Sequence, residues 1–267
     1  MAEVLLAVIK LLLMVFGLLI AYSMLKKGRN LELRGLTVLG VSFIFGAIAF
    51  AFAASRSVDF ELITSRRYFL YTATLLGFTI YAYFIHLTFY EGKKSPVKPI
   101  MAILIIGTIL ATSLMVYAEV IEGVRGDNLE EAIPLSDLHP AYIIADLLIA
   151  GIIILSSGWR FLCARRSYNE IKDNKAVADW VKFRYKLIIL NSICFLVWGF
   201  MHAIIYRSIL PLYFRIIVMS IVGIAFALDF AAWGMPAWLK EFANRNYEAL
   251  DAEGLPEDEI MTMMRGS

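Results

Sequence analysis

The sequence has few of the residues on which metal sites and disulfide frameworks depend. It contains two cysteines, Cys163 and Cys194, and three histidines in 267 residues. Two cysteines in or beside apolar segments cannot supply a disulfide framework or the spacing of a metal site. Charged residues make up 18% of the chain, and the formal net charge of +2 gives no sign of nucleic-acid binding. The sequence therefore predicts no metal site and no nucleic-acid partner.

Motifs of the common hydrolases are also missing. The chain has no His-x-x-x-His or His-Glu-x-x-His pair, and no Gly-x-Ser-x-Gly nucleophile elbow. His86 falls near the cytoplasmic side of the membrane and His202 near the outer side. The two residues therefore lie at different depths and cannot ligate one haem from both sides. We expect no enzymatic activity.

What the chain does contain is apolar residues in long runs. Hydrophobic residues make up 60% of it and its mean hydropathy is +0.73, whereas soluble domains are about 45–50% apolar. Several runs exceed the roughly 18 residues that indicate a membrane span, and they are too long and too continuous for barrel strands. We predict an all-α bundle of seven transmembrane helices, at about 3–25, 35–55, 65–90, 98–119, 140–163, 183–206 and 212–239.

The order of charges predicts the orientation of the bundle. No basic residue precedes the first run and lysines follow it, which is typical of a true first span and not of a cleaved signal peptide. Lysine and arginine are concentrated in the loops after helices 1, 3 and 5, and this concentration marks the cytoplasmic side. We therefore predict a multi-pass protein of the cell membrane with its N-terminus outside, a transmembrane domain over 1–240 and a short acidic cytoplasmic tail over 241–267.

The basic connection between helices 5 and 6 is the candidate surface for a cytoplasmic partner. We expect it to extend both helices beyond the bilayer. Topology and contact with anionic lipid are the simpler account of its charge, and we favour them over a specific partner. The sequence leaves open whether the protein forms a homo-oligomer. The residues assigned to this connection are Arg160, Arg165, Arg166, Lys172, Lys175, Lys182, Arg184 and Lys186.

Ionisable residues inside spans are costly, so each one is a functional candidate. Lys10 falls in the outer half of helix 1, where it can reach the interface or pair with an acid such as Asp146. Asp146 and His202 both fall on the outer side of the midplane, so they can meet between helices 5 and 6. Either a structural pair or a proton relay would explain them.

Three short motifs resemble those of the microbial (type I) rhodopsins. Helix 3 begins with Arg67–Thr74, helix 6 contains Val197–His202 and helix 7 contains Leu228–Gly234. The family carries Arg-Tyr-x-Asp-Trp-x-x-Thr on helix 3, Trp-x-x-Tyr-Pro on helix 6 and Asp-x-x-x-Lys on helix 7. The resemblance extends over nearly the whole chain, because the length and the N-outside topology also agree.

The departures from the family pattern change what the resemblance implies. The retinal-binding lysine falls on Trp233, and helix 7 has no other lysine before Lys240. The proton acceptor of helix 3 falls on Leu70, and the cytoplasmic proton donor falls on Tyr81. Since a Schiff base requires a lysine amine, we expect no covalent retinal at the family position and no light-driven pump of the usual kind.

The resemblance also implies a set of site residues. Arg67 and Asp229 would form a polar centre, because a buried charge needs a partner. We expect a sensor or a partner-binding subunit. The alternatives are an ion or proton channel or transporter, and a binder of retinal or a carotenoid-like ligand, held non-covalently or through Lys10. The residues that correspond to the family's chromophore pocket are Tyr71, Thr74, Trp198, Met201, His202, Asp229 and Trp233.

Overall fold

A computed structural model of the chain describes residues 2–56, 67–90, 96–121, 140–174, 177–205 and 212–245. All regular secondary structure in these segments is helical. Two five-residue π-helical segments continue α4 and α7, at Tyr117–Ile121 and Phe230–Gly234. The α-helices are α1 (Ala2–Asn30), α2 (Arg34–Arg56), α3 (Arg67–Phe89), α4 (Val97–Val116), α5 (Pro140–Ile171), α6 (Asp179–Ile205), α7 (Leu212–Asp229) and α8 (Ala237–Asn244).

Seven of the described helices, α1 to α7, are long and apolar enough to cross a membrane. The prediction of an all-helical, multi-pass membrane protein is confirmed at this level. The predicted extension of helix 5 is also seen, since α5 has 32 residues and thus measures about 48 Å at 1.5 Å per residue. That length exceeds the roughly 30 Å of a bilayer's hydrocarbon core.

The helices pack in chain order around the bundle. Each helix from α1 to α7 contacts the next, and α1 also contacts α7, which closes the ring. A further contact between α3 and α5 places α4 at the periphery. Half of the apolar window of α3 and of α5 is buried, against 22% for α4. Of the seven spans, α3 and α5 are therefore the most buried and α4 is the least.

We call the two ends of the bundle the basic end and the opposite end. The basic end is where α1, α3, α5 and α7 finish and where α2, α4 and α6 begin. Its name reflects the exposed basic side chains that surround it, among them Lys26, Arg34 and Arg165.

The predicted seventh helix is broken before its predicted end. After the π-helical segment, Met235 adopts a left-handed conformation with φ 36°, and Pro236 follows with φ −57° and ψ 149°. Beyond the first turn of a helix, proline lacks a backbone N–H and clashes with the preceding turn, which kinks or breaks the helix. The chain therefore turns here and starts α8. The predicted helix 212–239 is thus two helices, and the predicted domain boundary at 240 falls inside α8.

Gly199 allows α6 to approach α5 closely. A Cβ atom at this position would lie 2.9 Å from Cγ1 of Ile154 and 3.0 Å from Cγ2 of Ile153. At Gly151, on an exposed part of α5, a Cβ atom would meet no heavy atom within 4 Å. Alanine substitutions at the two glycines therefore separate the effect of close helix packing from the effect of helix propensity.

We expect Gly199→Ala to lower the melting temperature in detergent micelles, because overpacking costs about 1–3 kcal/mol. Gly151→Ala is the matched control and should keep or raise the melting temperature, since alanine is favoured over glycine in a helix by about 1 kcal/mol. Thermal unfolding followed by circular dichroism measures both. Equal effects of the two substitutions would contradict the close α5–α6 contact.

Candidate functional site

Four helices contribute polar side chains to one buried group near the basic end. We call it the Asp229 cluster, and its members are Tyr81 of α3, Arg160 of α5, Asn191 and Ser192 of α6, and Asp229 of α7. Arg160, Asn191 and Ser192 have no exposed surface, and Asp229 is 1% exposed. A buried polar group is stable only if it is hydrogen-bonded, so the pairing inside this cluster determines how the four helices fit together.

An ion pair lies at the centre of the cluster. Nη1 of Arg160 lies 3.1 Å from Oδ1 and 3.4 Å from Oδ2 of Asp229. Nε of Arg160 donates to Oγ of Ser192 at 2.8 Å, and that hydroxyl donates to the carbonyl oxygen of Ile188 at 2.7 Å. The hydroxyl of Tyr81 donates to Oδ1 of Asp229 at 3.2 Å. The guanidinium is thus fixed in orientation by α6 and neutralised by α7.

Aromatic rings complete the surroundings of the guanidinium. Its carbon lies 4.5 Å from the ring centroid of Tyr81 and 5.4 Å from that of Phe195. A desolvated cation over a ring face gains about 2 kcal/mol from cation–π attraction. Tyr81 therefore contacts both charges, with its hydroxyl on Asp229 and its ring face on Arg160.

The cluster has more hydrogen-bonding capacity than its members use. Buried atoms without a hydrogen-bond partner include Nη2 of Arg160 and Oδ1 of Asn191. The side chains of Asn191 and Trp233 both lie beside Asp229, and Nδ2 of Asn191 donates to the carbonyl oxygen of Ala225. Buried polar groups are normally paired. Arg160 and Asn191 therefore keep a spare donor and a spare acceptor beside Asp229.

The predicted polar centre of Arg67 and Asp229 is corrected by this geometry. Asp229 pairs with Arg160, and it also accepts a hydrogen bond from Tyr81 of α3. Arg67 begins α3, 14 residues before Tyr81, which is about 21 Å along a helix. An arginine side chain cannot span that distance. The two predicted partners thus belong to different ends of the bundle.

The assignment of Arg160 and Arg184 to a basic connection is also wrong. Arg160 is 0% exposed and lies within the apolar part of α5, and Arg184 is 4% exposed in α6. The sequence does carry a signal, because the apolar residues Phe161–Ala164 follow Arg160 and continue the span. A charge inside a span is expected to have a partner, and Asp229 on helix 7 was available as one.

The predicted meeting of Asp146 and His202 is confirmed. Nε2 of His202 lies 4.0 Å from Oδ1 of Asp146 between α5 and α6. The ring of Tyr71 on α3 packs edge-on against His202, with centroids 5.8 Å apart. We call Tyr71, Asp146 and His202 the His202 cluster. It lies toward the opposite end of the bundle from the Asp229 cluster.

The residues predicted for the chromophore pocket divide between the two clusters. Tyr71 and His202 belong to one, and Asp229 belongs to the other. Tyr71 and Tyr81 are ten residues apart on α3, which corresponds to about 15 Å. The remaining members are also dispersed: the hydroxyl of Thr74 donates to the carbonyl oxygen of Leu70 in its own helix, and Met201 is half-buried beside His202 in α6.

An aromatic layer separates the two clusters. It consists of Phe78, Phe195 and Trp198. The ring centroid of Phe78 lies 5.5 Å from that of Phe195 and 5.7 Å from that of Trp198. Trp198 also reaches His202, at 6.3 Å, and Phe195 reaches Arg160. The layer therefore lies between the two polar clusters and contacts both of them.

Trp233, which the predicted resemblance aligns with the family's lysine, is 4% exposed. Its ring packs edge-on against Phe84 at 4.9 Å, and the guanidinium carbon of Arg184 lies 5.9 Å from its ring centroid. An apolar cavity of about 300 Å³ lies elsewhere, among α2, α3 and α4. The residues that line it are Thr37, Val38, Val41, Thr79, Ile80, Tyr83 and Met101.

Lys10 lies between α1 and α2. Its ammonium group donates to the carbonyl oxygen of Ala53, in the last turn of α2, at 3.0 Å. This carbonyl is at the opposite end of the bundle from Asp229. The lysine is therefore engaged at the end of the bundle that the charge pattern predicts to be outside.

In comparisons with protein-family models, with curated proteins and with solved structures, no match to this chain was found. The resemblance to the microbial rhodopsins stays a prediction from three sequence motifs.

We expect Asp229→Asn and Arg160→Gln each to lower the free energy of unfolding by about 3–5 kcal/mol, because each leaves an uncompensated polar or charged group in the core. The double variant should recover part of that loss, since neither charge remains buried. Unfolding in mixed micelles, followed by circular dichroism, measures the three variants against the unsubstituted protein.

Arg166→Gln provides the control for this cycle. Arg166 forms an ion pair with Glu170 at 3.1 Å, but the two side chains are 80% and 51% exposed. Exposed pairs contribute about 0–1 kcal/mol, so the control should unfold almost as the unsubstituted protein does. If Asp229→Asn behaved like this control, the buried pair would not support the bundle.

Proposed function

We propose that this protein is a membrane sensor of the seven-helix, rhodopsin-like kind without a covalent retinal, in which the Arg160–Asp229 ion pair is a latch between α5 and α7. The observation that carries the proposal is the complete burial of this pair, at an N–O distance of 3.1 Å. A buried ion pair is weak as a stabilising element, and its best-attested use is to set a register or a switch.

The surroundings of Asp229 support a role in switching. A π-helical segment, Phe230–Gly234, follows this residue directly and includes Trp233. Such segments are rare and often occur at functional sites. The segment Phe230–Gly234 leads into the break at Met235 and then into α8. A change in the bonding of Asp229 would therefore be transmitted along a short path to the basic end.

In the proposed sensor, the aromatic layer couples the His202 cluster to the latch. It contacts His202 on one side and Arg160 on the other, through Trp198 and Phe195 respectively. Packed side chains with two discrete arrangements can couple distant sites. In the proposed sensor, a ligand or charge change at the His202 cluster alters the ring packing and thereby the latch. Non-covalent retinal or a carotenoid-like molecule is one ligand class that aromatic walls would suit.

We further propose that the N-terminus lies outside the cell membrane and the basic end faces the cytoplasm. The concentration of lysine and arginine at that end supports this orientation. The exposed basic residues of α5, including Arg165 and Arg166, would then face a cytoplasmic partner or anionic lipid. The sensor would thus receive its signal outside and deliver it inside.

A second candidate function is a proton or ion pathway. The observation that favours it is the alignment of the two polar clusters along the same three helices, with α3, α5 and α6 contributing to both. A pathway would join Asp146 and His202 to Tyr81 and Asp229. The aromatic layer would be its gate, because packed rings exclude water and ions.

Pulsed electron paramagnetic resonance tests the latch. Nitroxide labels at Leu162 of α5 and Ile224 of α7, both exposed, are placed in a protein whose two cysteines are replaced by alanine. We expect one narrow distance distribution with the ion pair intact, and a broadened or shifted one in Asp229→Asn. Arg166→Gln is the matched control, because it breaks an exposed ion pair with Glu170 that lies outside the latch. An unaltered distribution in Asp229→Asn would contradict a latch.

Flux measurements in liposomes separate the sensor from the pathway. We expect no proton or ion flux under a pH gradient or a membrane potential, with the protein reconstituted alone. Flux that both Asp229→Asn and His202→Ala abolish would overturn the sensor proposal and establish the pathway.

A further inference from the structure

Helix α8 lies across the basic end of the bundle. It begins at Ala237, directly after the break at Pro236, and its eight residues correspond to about 12 Å. Near its end, the side-chain oxygen of Asn244 accepts a hydrogen bond from the backbone N–H of Trp180 at 2.9 Å. The ammonium group of Lys240 lies 4.6 Å from the ring centroid of Trp180. The helix thus connects the end of α7 to the beginning of α6.

Three faces of α8 are chemically distinct. Leu239 is 8% exposed and Ala243 packs against the same core, so these two residues face the bundle. Trp238 and Phe242, also four residues apart, are 67% and 52% exposed. Glu241 and Arg245, which are both exposed, form the third, polar face. At 100° per residue, the aromatic face lies between the bundle-facing side and the polar side.

This order of faces is the one that a helix needs at the edge of a bilayer. One side holds the protein, the adjoining side enters the lipid, and the remaining side meets water. Tryptophan is enriched at membrane interfaces because its ring is apolar and its N–H is polar. The guanidinium carbon of Arg245 lies 4.8 Å from the ring centroid of Phe242. If this ring faced lipid, the cation beside it would lie at the depth of the headgroup phosphates.

The charge of the basic end fits the same partner. Among the described residues of this end, basic side chains outnumber acidic ones, and two of the acids form ion pairs, Glu170 with Arg166 and Asp179 with Lys182. The exposed basic residues among those described are Lys26, Arg29, Arg34, Lys98, Arg165, Arg166, Lys172, Lys186 and Arg245.

We infer that α8 is an interfacial helix that inserts Trp238 and Phe242 into a phospholipid leaflet, between the headgroups and the acyl chains. A protein partner is a poorer occupant of this face. A stable interface buries about 800 Å² on each partner, whereas an aromatic side chain buries about 150–250 Å². Two partly exposed rings on a helix of about 12 Å supply too little area for a stable interface, but enough for an anchor beside the spans.

The experiment compares two neighbouring positions on α8. Phe242→Cys and Glu241→Cys, in the protein with Cys163 and Cys194 replaced by alanine, each carry a nitroxide label. Each protein is reconstituted in liposomes of phosphatidylglycerol and phosphatidylcholine. Power saturation then measures collision with oxygen, which concentrates in lipid, and with a nickel chelate, which remains in water. Trp238→Cys provides a second lipid-facing position if Phe242→Cys does not fold.

We expect the label at position 242 to collide at least several-fold more with oxygen, relative to the nickel chelate, than the label at position 241. Equal preference for the nickel chelate at both positions would show a helix in water and overturn the inference. Protection of position 242 from both reagents would also overturn it, because that result indicates a covering protein surface. Neither outcome depends on the state of the Arg160–Asp229 pair, so the sensor proposal is tested separately.

Discussion

A charge buried among helices must be neutralised where it lies, and the centre of this bundle satisfies that requirement at Arg160. Its side chain is fully buried, and its position is compatible with folding only because Asp229 lies 3.1 Å away on α7. Ser192 orients the guanidinium from α6, and Tyr81 contacts both charges from α3. Removing one charge from such a pair costs about 3–5 kcal/mol. The packing of α3, α5, α6 and α7 is thus tied to one ion pair.

The ion pair also makes the two ends of the bundle chemically different. It lies toward the basic end, whereas Asp146 and His202 lie toward the opposite end. The rings of Phe78, Phe195 and Trp198 separate the two. A separation of about 15 Å along α3 is short enough for coupling through packed side chains. It is too long for direct contact, so the two clusters act as an input and an output in the sensor that we propose.

Hydropathy predicts the seven spans because burial of apolar runs in lipid depends on length and composition alone. The contact of Asp146 with His202 is also predictable, since both residues share one depth on neighbouring helices. The Arg160–Asp229 pair is open to the same reasoning, because the apolar residues Phe161–Ala164 place Arg160 inside a span, where a charge needs a partner. Counting loop charges assigns Arg160 to a connection and hides this signal, and the helix 7 motif pairs Asp229 with Arg67 without regard to depth. The break at Met235 and Pro236 is not predictable from hydropathy, because the apolar run continues past it.

The central claim is that Arg160 and Asp229 are in contact inside the folded protein. Solid-state NMR on the protein in lipid bilayers, with isotopically labelled arginine and aspartate, measures dipolar coupling between guanidinium nitrogen and carboxylate carbon. A difference between the unsubstituted protein and Arg160→Gln isolates the coupling of this pair. The ion pair predicts strong coupling that the substitution abolishes, as expected for an N–O distance of 3.1 Å. Coupling that is absent, or that persists unchanged in Arg160→Gln, would contradict the account.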